Sequence, residues 1–170
     1  MGRLREAELT NGIVAAALPC ITAFAEVHPE ERFVGLAVET LAEERYFHLN
    51  ALFESARKEA SGKRPYTGAA YLLPEDIPSN CQEWRYFDFN TGCGTWQTLW
   101  APTEDRLNAQ SNSADDVEPE ECVVKYEELT HMFWRASGAA FRLIVDSDEV
   151  RALPKGSCFV SFIYEHHDVF

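Results

Sequence analysis

Apolar residues recur at three- and four-residue spacing near the start of the chain. Leu9, Ile13, Ala17, Ile21 and Phe24 fall on one helical face, which predicts an amphipathic helix over residues 4 to 27. Pro19 removes a backbone donor within it and predicts a kink or a split, and His28-Pro29 ends it because a residue before proline avoids the helical region. The pattern then changes. Phe33 to Thr40 is short, β-branched and apolar on both faces, which predicts an interior strand. Tyr46 to Asn50 fits a strand pairing back on the first, whereas Leu49, Leu52, Phe53, Ala56 and Ala60 also fit a helical stripe. The preferred reading is a short strand followed by a helix over about 51 to 60. Ser61 to Pro65 breaks the pattern, and residues 66 to 82 read as an irregular crossing with a short strand at Ala69 to Leu73.

Two aromatic stretches, Trp84 to Phe89 and Thr95 to Trp100, flank Asn90-Thr91-Gly92-Cys93-Gly94 and predict a β-hairpin. Residues 101 to 120 are polar, with Pro102 and Pro119, and predict a mobile acidic loop. Glu120-Glu121 opens the longest helix, where Val123, Tyr126, Leu129, Phe133, Ala136, Ala140 and Leu143 repeat at three and four; Gly138 is a point where it could divide. After a charged connection over Asp146 to Gly156, Cys158 to Tyr164 is the most strand-like run and is predicted to lie centrally in the sheet. The order of elements predicts an α+β fold: one layered domain over residues 1 to 170, its mixed or antiparallel sheet packed by an N-terminal helix and a long C-terminal helix.

The length of 170 residues and the 46% hydrophobic content suffice for a single core and exclude a disordered or disulfide-stapled chain. Charge narrows the partners. With 28 acidic and 15 basic residues, the net charge of −13 argues against direct nucleic-acid binding and against docking on anionic lipid. Nine acids and two bases between residues 104 and 128 concentrate −7 of it. Cys20, Cys81, Cys93, Cys122 and Cys158 are odd in number and widely spaced, which predicts reduced thiols in a cytoplasmic protein. Ala23-Phe24-Ala25 has the small-x-small form of a signal-peptidase site. The segment before it, however, mixes Glu6 and Glu8 with Arg3 and Arg5, so a core helix is preferred. The Ile13 to Ala25 run is also shorter than the roughly 20 apolar residues of a membrane span.

Few motifs carry chemistry. Phosphate-binding glycine patterns and a Gly-x-Ser-x-Gly elbow are absent from the sequence, and no cofactor is expected. Cys93, flanked by glycines, is the best candidate nucleophile, with His48, His131, His166 and His167 as candidate bases. His166-His167-Asp168 resembles a ligand cluster, but adjacent residues on a strand point to opposite faces and cannot chelate together. Two features favour a binding protein instead. Trp84, Trp96 and Trp100 belong to an aromatic cluster of which one face is free to anchor a partner. Asp115, Asp116, Glu118, Glu120 and Glu121 form an acidic patch suited to a basic partner.

Several ordered segments resemble a bacterial family of small acidic proteins of unknown function associated with polymorphic-toxin immunity loci. These are the helix closing on His28-Pro29-Glu30-Glu31-Arg32-Phe33, the strand Val34 to Glu39, the element Trp84-Arg85-Tyr86, the long C-terminal helix and the strand Phe159 to Ile163. The stretch Thr91 to Glu118 has no counterpart in that pattern, so the acidic segment rests on its own residues. The resemblance implies a cytoplasmic, non-enzymatic protein that neutralises a cognate protein toxin. A nucleic-acid-cutting toxin, with its basic cleft, fits the acidic patch. The alternatives are a Cys/His-dependent enzyme and an acidic housekeeping adaptor. Oligomeric state is left open.

Overall fold

The computed structural model describes residues 3–56, 81, 84–115 and 118–165. At its centre is β1 (Phe33–Leu41), in which every residue is buried. β2 (Tyr46–Phe53) pairs with it antiparallel and β3 (Lys155–Glu165) pairs with it parallel, giving a mixed sheet of order β2-β1-β3. The interior position expected for Phe33 to Thr40 is therefore found. The strand at Cys158 to Tyr164 is correct in type but lies at an edge, not at the centre. Phe159, Val160, Phe162 and Ile163 are only half-buried and Cys158 is exposed, because one side of the strand has no neighbour among the described residues.

The N-terminal helix α1 (Glu6–Glu26) buries Leu9, Ile13, Ala17 and Ile21, as their spacing predicts, together with Ala16 and Cys20. Pro19 neither splits the helix nor ends it. Proline costs one backbone hydrogen bond, and here that loss falls on the exposed side while buried residues hold the helix on the other. By length and composition α1 is apolar enough to cross a membrane, a longer apolar segment than Ile13 to Ala25 alone; its buried stripe packs into the core.

β2 continues past Asn50 to Phe53 and ends in a 3-10 turn, Glu54–Ala56, so the helix expected from residue 51 does not start there. The rest of that segment, and the strand expected at Ala69 to Leu73, lie outside the described residues.

The largest departure is α2 (Gly94–Asp115), a helix of 22 residues where a hairpin arm and a mobile loop were expected. Trp96, Trp100, Leu107 and Ser111 are buried. Their spacing of four, seven and four is a helical stripe, obscured by the polar residues between them and by Pro102, which sits exposed within the helix. The first aromatic arm pairs with β2 instead: Ala51 N–H donates to the Tyr86 carbonyl at 3.0 Å, and Phe89 N–H to the Leu49 carbonyl at 3.0 Å.

The long helix α3 (Pro119–Val145) runs unbroken through Gly138 and buries Leu129, Phe133, Ala136, Ala140 and Ile144. Val123 and Leu143, expected on the inner stripe, are exposed near its two ends. A short helix, α4 (Asp148–Ala152), occupies the charged connection to β3, and the Ser147 hydroxyl caps it by accepting from Val150 N–H at 3.2 Å.

The sheet separates two clusters. Leu36, Val38, Phe47, Leu49 and Phe53 face the helices, whereas Val34, Ala37, Leu52, Ala56, Cys81 and Trp84 form a smaller core on the other side. There the Trp84 ring lies against β1 at Gly35. A Cβ on Gly35 would sit 2.7 Å from the indole and 3.2 Å from the Leu52 Cβ. Gly35→Ala should therefore destabilise the fold by about 1–3 kcal/mol in denaturant unfolding, the usual cost of overpacking, and Trp84→Phe in the same chain should recover part of the loss.

Candidate functional site

The acidic residues form a helical surface. Asp115 is the last residue of α2, and Glu118 is the N-cap of α3, with Glu120 and Glu121 in its first turn. Glu120 and Glu121 lie at the positive end of the α3 dipole, which favours carboxylates, although the Glu118 side chain makes no capping hydrogen bond. Asp116 lies outside the described residues. Glu104, Asp105, Glu118, Glu120, Glu121, Glu127 and Glu128 are all exposed.

The nearby bases offset little of this charge. Lys125 pairs with Glu121 at 2.9 Å, Arg3 with Glu128 at 2.8 Å, and Arg106 turns away to Glu8 at 3.4 Å. Among the described residues no ion pair engages Glu104, Asp105, Glu118, Glu120 or Glu127. Glu8 itself is held below the ordinary carboxylate range, first by the Arg5 backbone N–H and then by the Arg5 side chain, an arrangement that closes the start of α1.

On α3, the spacing of Glu120, Val124, Glu127, His131 and Trp134 places them along one outer stripe, and all are exposed, as is Val123. Apolar side chains among carboxylates on one helical face are the composition of a protein-binding surface with an apolar centre and charged rim.

The tryptophans expected as anchors belong to the core. Trp84, Trp96 and Trp100 are 3%, 5% and 7% exposed. Trp96 stacks on Trp100 with ring centroids 5.6 Å apart and on Phe47 at 6.2 Å. Burial follows from the helical stripe of α2 for two of them and from contact with Gly35 for the third. Among the described residues the exposed aromatics are Phe87 and Trp134; the exposure of Trp134 follows from its place on the outer side of α3, opposite Phe133 and Ala136.

Two fully buried asparagines fix the turn before α2. Asn90 Oδ1 accepts from Leu49 N–H at 2.6 Å, while its Nδ2 donates to the Phe47 carbonyl at 2.9 Å. Asn50 Oδ1 accepts from Asp88 N–H at 2.7 Å, and its Nδ2 donates to Cys81 Sγ at 3.1 Å. Beside them, Glu39 and His48 face each other across β1 and β2. His48 Nδ1 lies 3.9 Å from the buried Glu39 carboxylate and Nε2 lies 3.7 Å from Asp88. Tyr46 stacks on the imidazole at 4.1 Å. The sequence contains these residues but no motif that joins them.

Cys93 immediately precedes α2 and packs against the core cluster that contains Cys20 of α1. Burial pushes the Cys93 thiol up, but the Trp96 N–H, the Cys20 thiol and the backbone and hydroxyl of Thr95 together bring it below its ordinary value. Burial, and then Cys93 itself, push Cys20 far up. The described histidines are engaged elsewhere: His28 among Phe24, Phe53 and Tyr86, His48 between its two carboxylates, and His131 on the outside of α3. The Cys93–His48 and Cys93–His131 combinations are therefore not assembled. His166, His167 and Asp168 lie outside the described residues. Among the described residues no three His, Cys, Asp or Glu side chains are grouped to hold a metal ion. No family model, curated protein or solved structure matches the chain.

Two substitutions separate framework from surface. Trp96→Ala should cost about 3–5 kcal/mol in unfolding experiments, as expected for a large core truncation. Asn90→Ala should cost at least about 2 kcal/mol by leaving a buried N–H and a buried carbonyl unpaired.

Proposed function

We propose that this chain is a cytoplasmic, non-enzymatic binding protein of the toxin-immunity type, which captures a basic protein toxin on the outer face of α2 and α3. The observation that carries the reading is the set of exposed, largely unpaired carboxylates on two helices, Glu104 and Asp105 on α2 and Glu118, Glu120 and Glu127 at α3, with Val123, Val124 and Trp134 on the same helical face of α3 as Glu120 and Glu127. The acidic surface attracts and orients a basic partner, and the apolar side chains supply contact area once water is displaced. Carboxylates placed where a nuclease binds phosphates would block its cleft without any chemistry. The segments that resemble immunity-locus proteins agree with this reading. Trp134 replaces the core tryptophans as the proposed aromatic anchor.

Co-expression with the product of whichever gene adjoins this one, first assayed alone for growth inhibition, tests the proposal. The chain should restore growth and form a one-to-one complex. The association rate should fall on the order of tenfold from low to moderately high salt. Neutralising Asp115, Asp116, Glu118 and Glu120 together by Asn and Gln should slow association by a similar factor. Trp134→Ala should mainly speed dissociation. Unchanged rates in the quadruple variant would overturn the acidic-surface reading, and a neighbouring product without toxicity would overturn the immunity reading.

A further inference from the structure

The partner surface on α2 and α3 leaves one apolar face of the molecule unused, the outer side of α1. From Leu9 to Ala25 the helix carries no charged residue, yet only 39% of its most apolar stretch is buried within the fold. A helix with one side on a core ordinarily turns charged or polar residues to water. Here Ala15 and Pro19 are exposed, and Val14, Leu18 and Ala23 are half-buried. These five line a shallow cleft of about 410 Å³ along α1. Val27, one turn beyond Ala23, continues the apolar strip at 71% exposure.

The polar groups of the cleft suit a cation. Glu26 and Glu149 of α4 line it, both are exposed, and among the described residues no ion pair engages either. The neighbouring Arg151 is taken by Asp148 at 3.2 Å. Glu26 stands in the last turn of α1, which has no basic residue to answer the negative end of the helix dipole. The Thr22 hydroxyl donates back to the Leu18 carbonyl at 3.1 Å and is thereby occupied. Pro19 has no N–H to give to the Ala15 carbonyl, so that oxygen can accept from a donor outside the helix.

We propose that this cleft docks the apolar face of a basic amphipathic helix from a partner protein, whose Lys or Arg side chains reach Glu26 and Glu149. From Val14 to Glu26 the cleft runs about 18 Å along α1, a little over three helical turns. A helix laid there sets its apolar side chains at i, i+3, i+4 and i+7 against Val14, Leu18 and Ala23. Apolar contact covers the uncharged strip, and the cations answer both carboxylates and the dipole end. Charge disfavours the other occupants. A second copy would set a net charge of −13 against another of −13, and an anionic lipid surface would meet Glu26 and Glu149. Docking here uses none of the α2 and α3 carboxylates, so it holds or fails separately from toxin capture there.

Titration of the isotope-labelled full-length chain with a synthetic helical peptide of about 18 residues, long enough to hold a helix in water, tests the site. The peptide carries leucines at i, i+3, i+4 and i+7 and lysines on its other faces; its twin carries glutamates in place of the lysines. The lysine peptide should shift the amide resonances of α1 between Val14 and Glu26, and those of α4, saturably. The glutamate peptide should not. Glu26→Gln together with Glu149→Gln should weaken binding roughly threefold to tenfold, the worth of two exposed ion pairs. Ala15→Glu, at an exposed helical position, should weaken it on the order of tenfold or more by placing a charge under the apolar contact, with the unfolding midpoint unchanged. Shifts confined to α2 and α3, equal binding of the two peptides, or no shift at all would overturn the proposal. Sedimentation of the chain with phosphatidylcholine vesicles, or a dimer that Ala15→Glu abolishes, would also overturn it and give the cleft to a membrane or to a second copy. The two peptides are compared on the unmodified chain, so they decide the matter even if a variant fails to fold.

Discussion

β1 is a strand buried on both faces and paired on both sides, and most of the structure follows from that requirement. Its nine residues offer nothing to water, so each face needs a layer and each edge a partner. The helices cover Leu36 and Val38, while Trp84 and Cys81 help to cover Val34 and Ala37. β2 and β3 satisfy its backbone groups. Two polar side chains are drawn inside with it. Thr40 is answered locally by the Tyr46 carbonyl at 2.9 Å, and Glu39 faces His48.

The far edge of β2 is held in a different way. The Asn90 amide bonds Phe47 and Leu49 as the next strand would with its backbone, beside the backbone bonds from Ala51 to Tyr86 and from Phe89 to Leu49, while Asn50 on β2 reaches out to Asp88 and Cys81. A side-chain amide provides both functions in one plane, so the two amides, with the backbone of Tyr86 and Phe89, fix the segment that leads from β2 to α2. That segment places Cys93 ahead of α2 and turns Trp96 and Trp100 inward. The buried amides and the partly open thiol are thus parts of one arrangement.

Periodicity made much of the fold legible. The stripe of α1, the apolar faces of β1, the three-and-four repeat of α3 and the strand character of β3 were readable because each pattern persists long enough to choose between 3.6 and 2. α2 was not, because only Trp96, Trp100, Leu107 and Ser111 mark its inner side and the aromatic residues among them alternate like a strand. Sheet order was also hidden: Cys158 to Tyr164 and Phe33 to Thr40 are similarly apolar, and only the pairing shows which is flanked twice. The charge concentration over 104 to 128 was visible, but its support by two helices was not. The packing of Cys93 against the core that contains Cys20 joins distant parts of the chain, which no local spacing encodes. The same holds for Glu39, His48 and Asp88.

The parallel pairing of β3 with β1 has a consequence for how the protein is made. β1 is translated well before β3, and β2 can join it at once through the short turn between them. Its other edge waits for β3, which follows α2, α3 and α4 in the chain. Until Glu165 has left the ribosome, a nascent chain carries an apolar strand with one open edge, the kind of surface that chaperones cover and that other nascent strands can join. α2, α3 and α4 are therefore synthesised onto an unfinished sheet, and completion of its core is tied to β3.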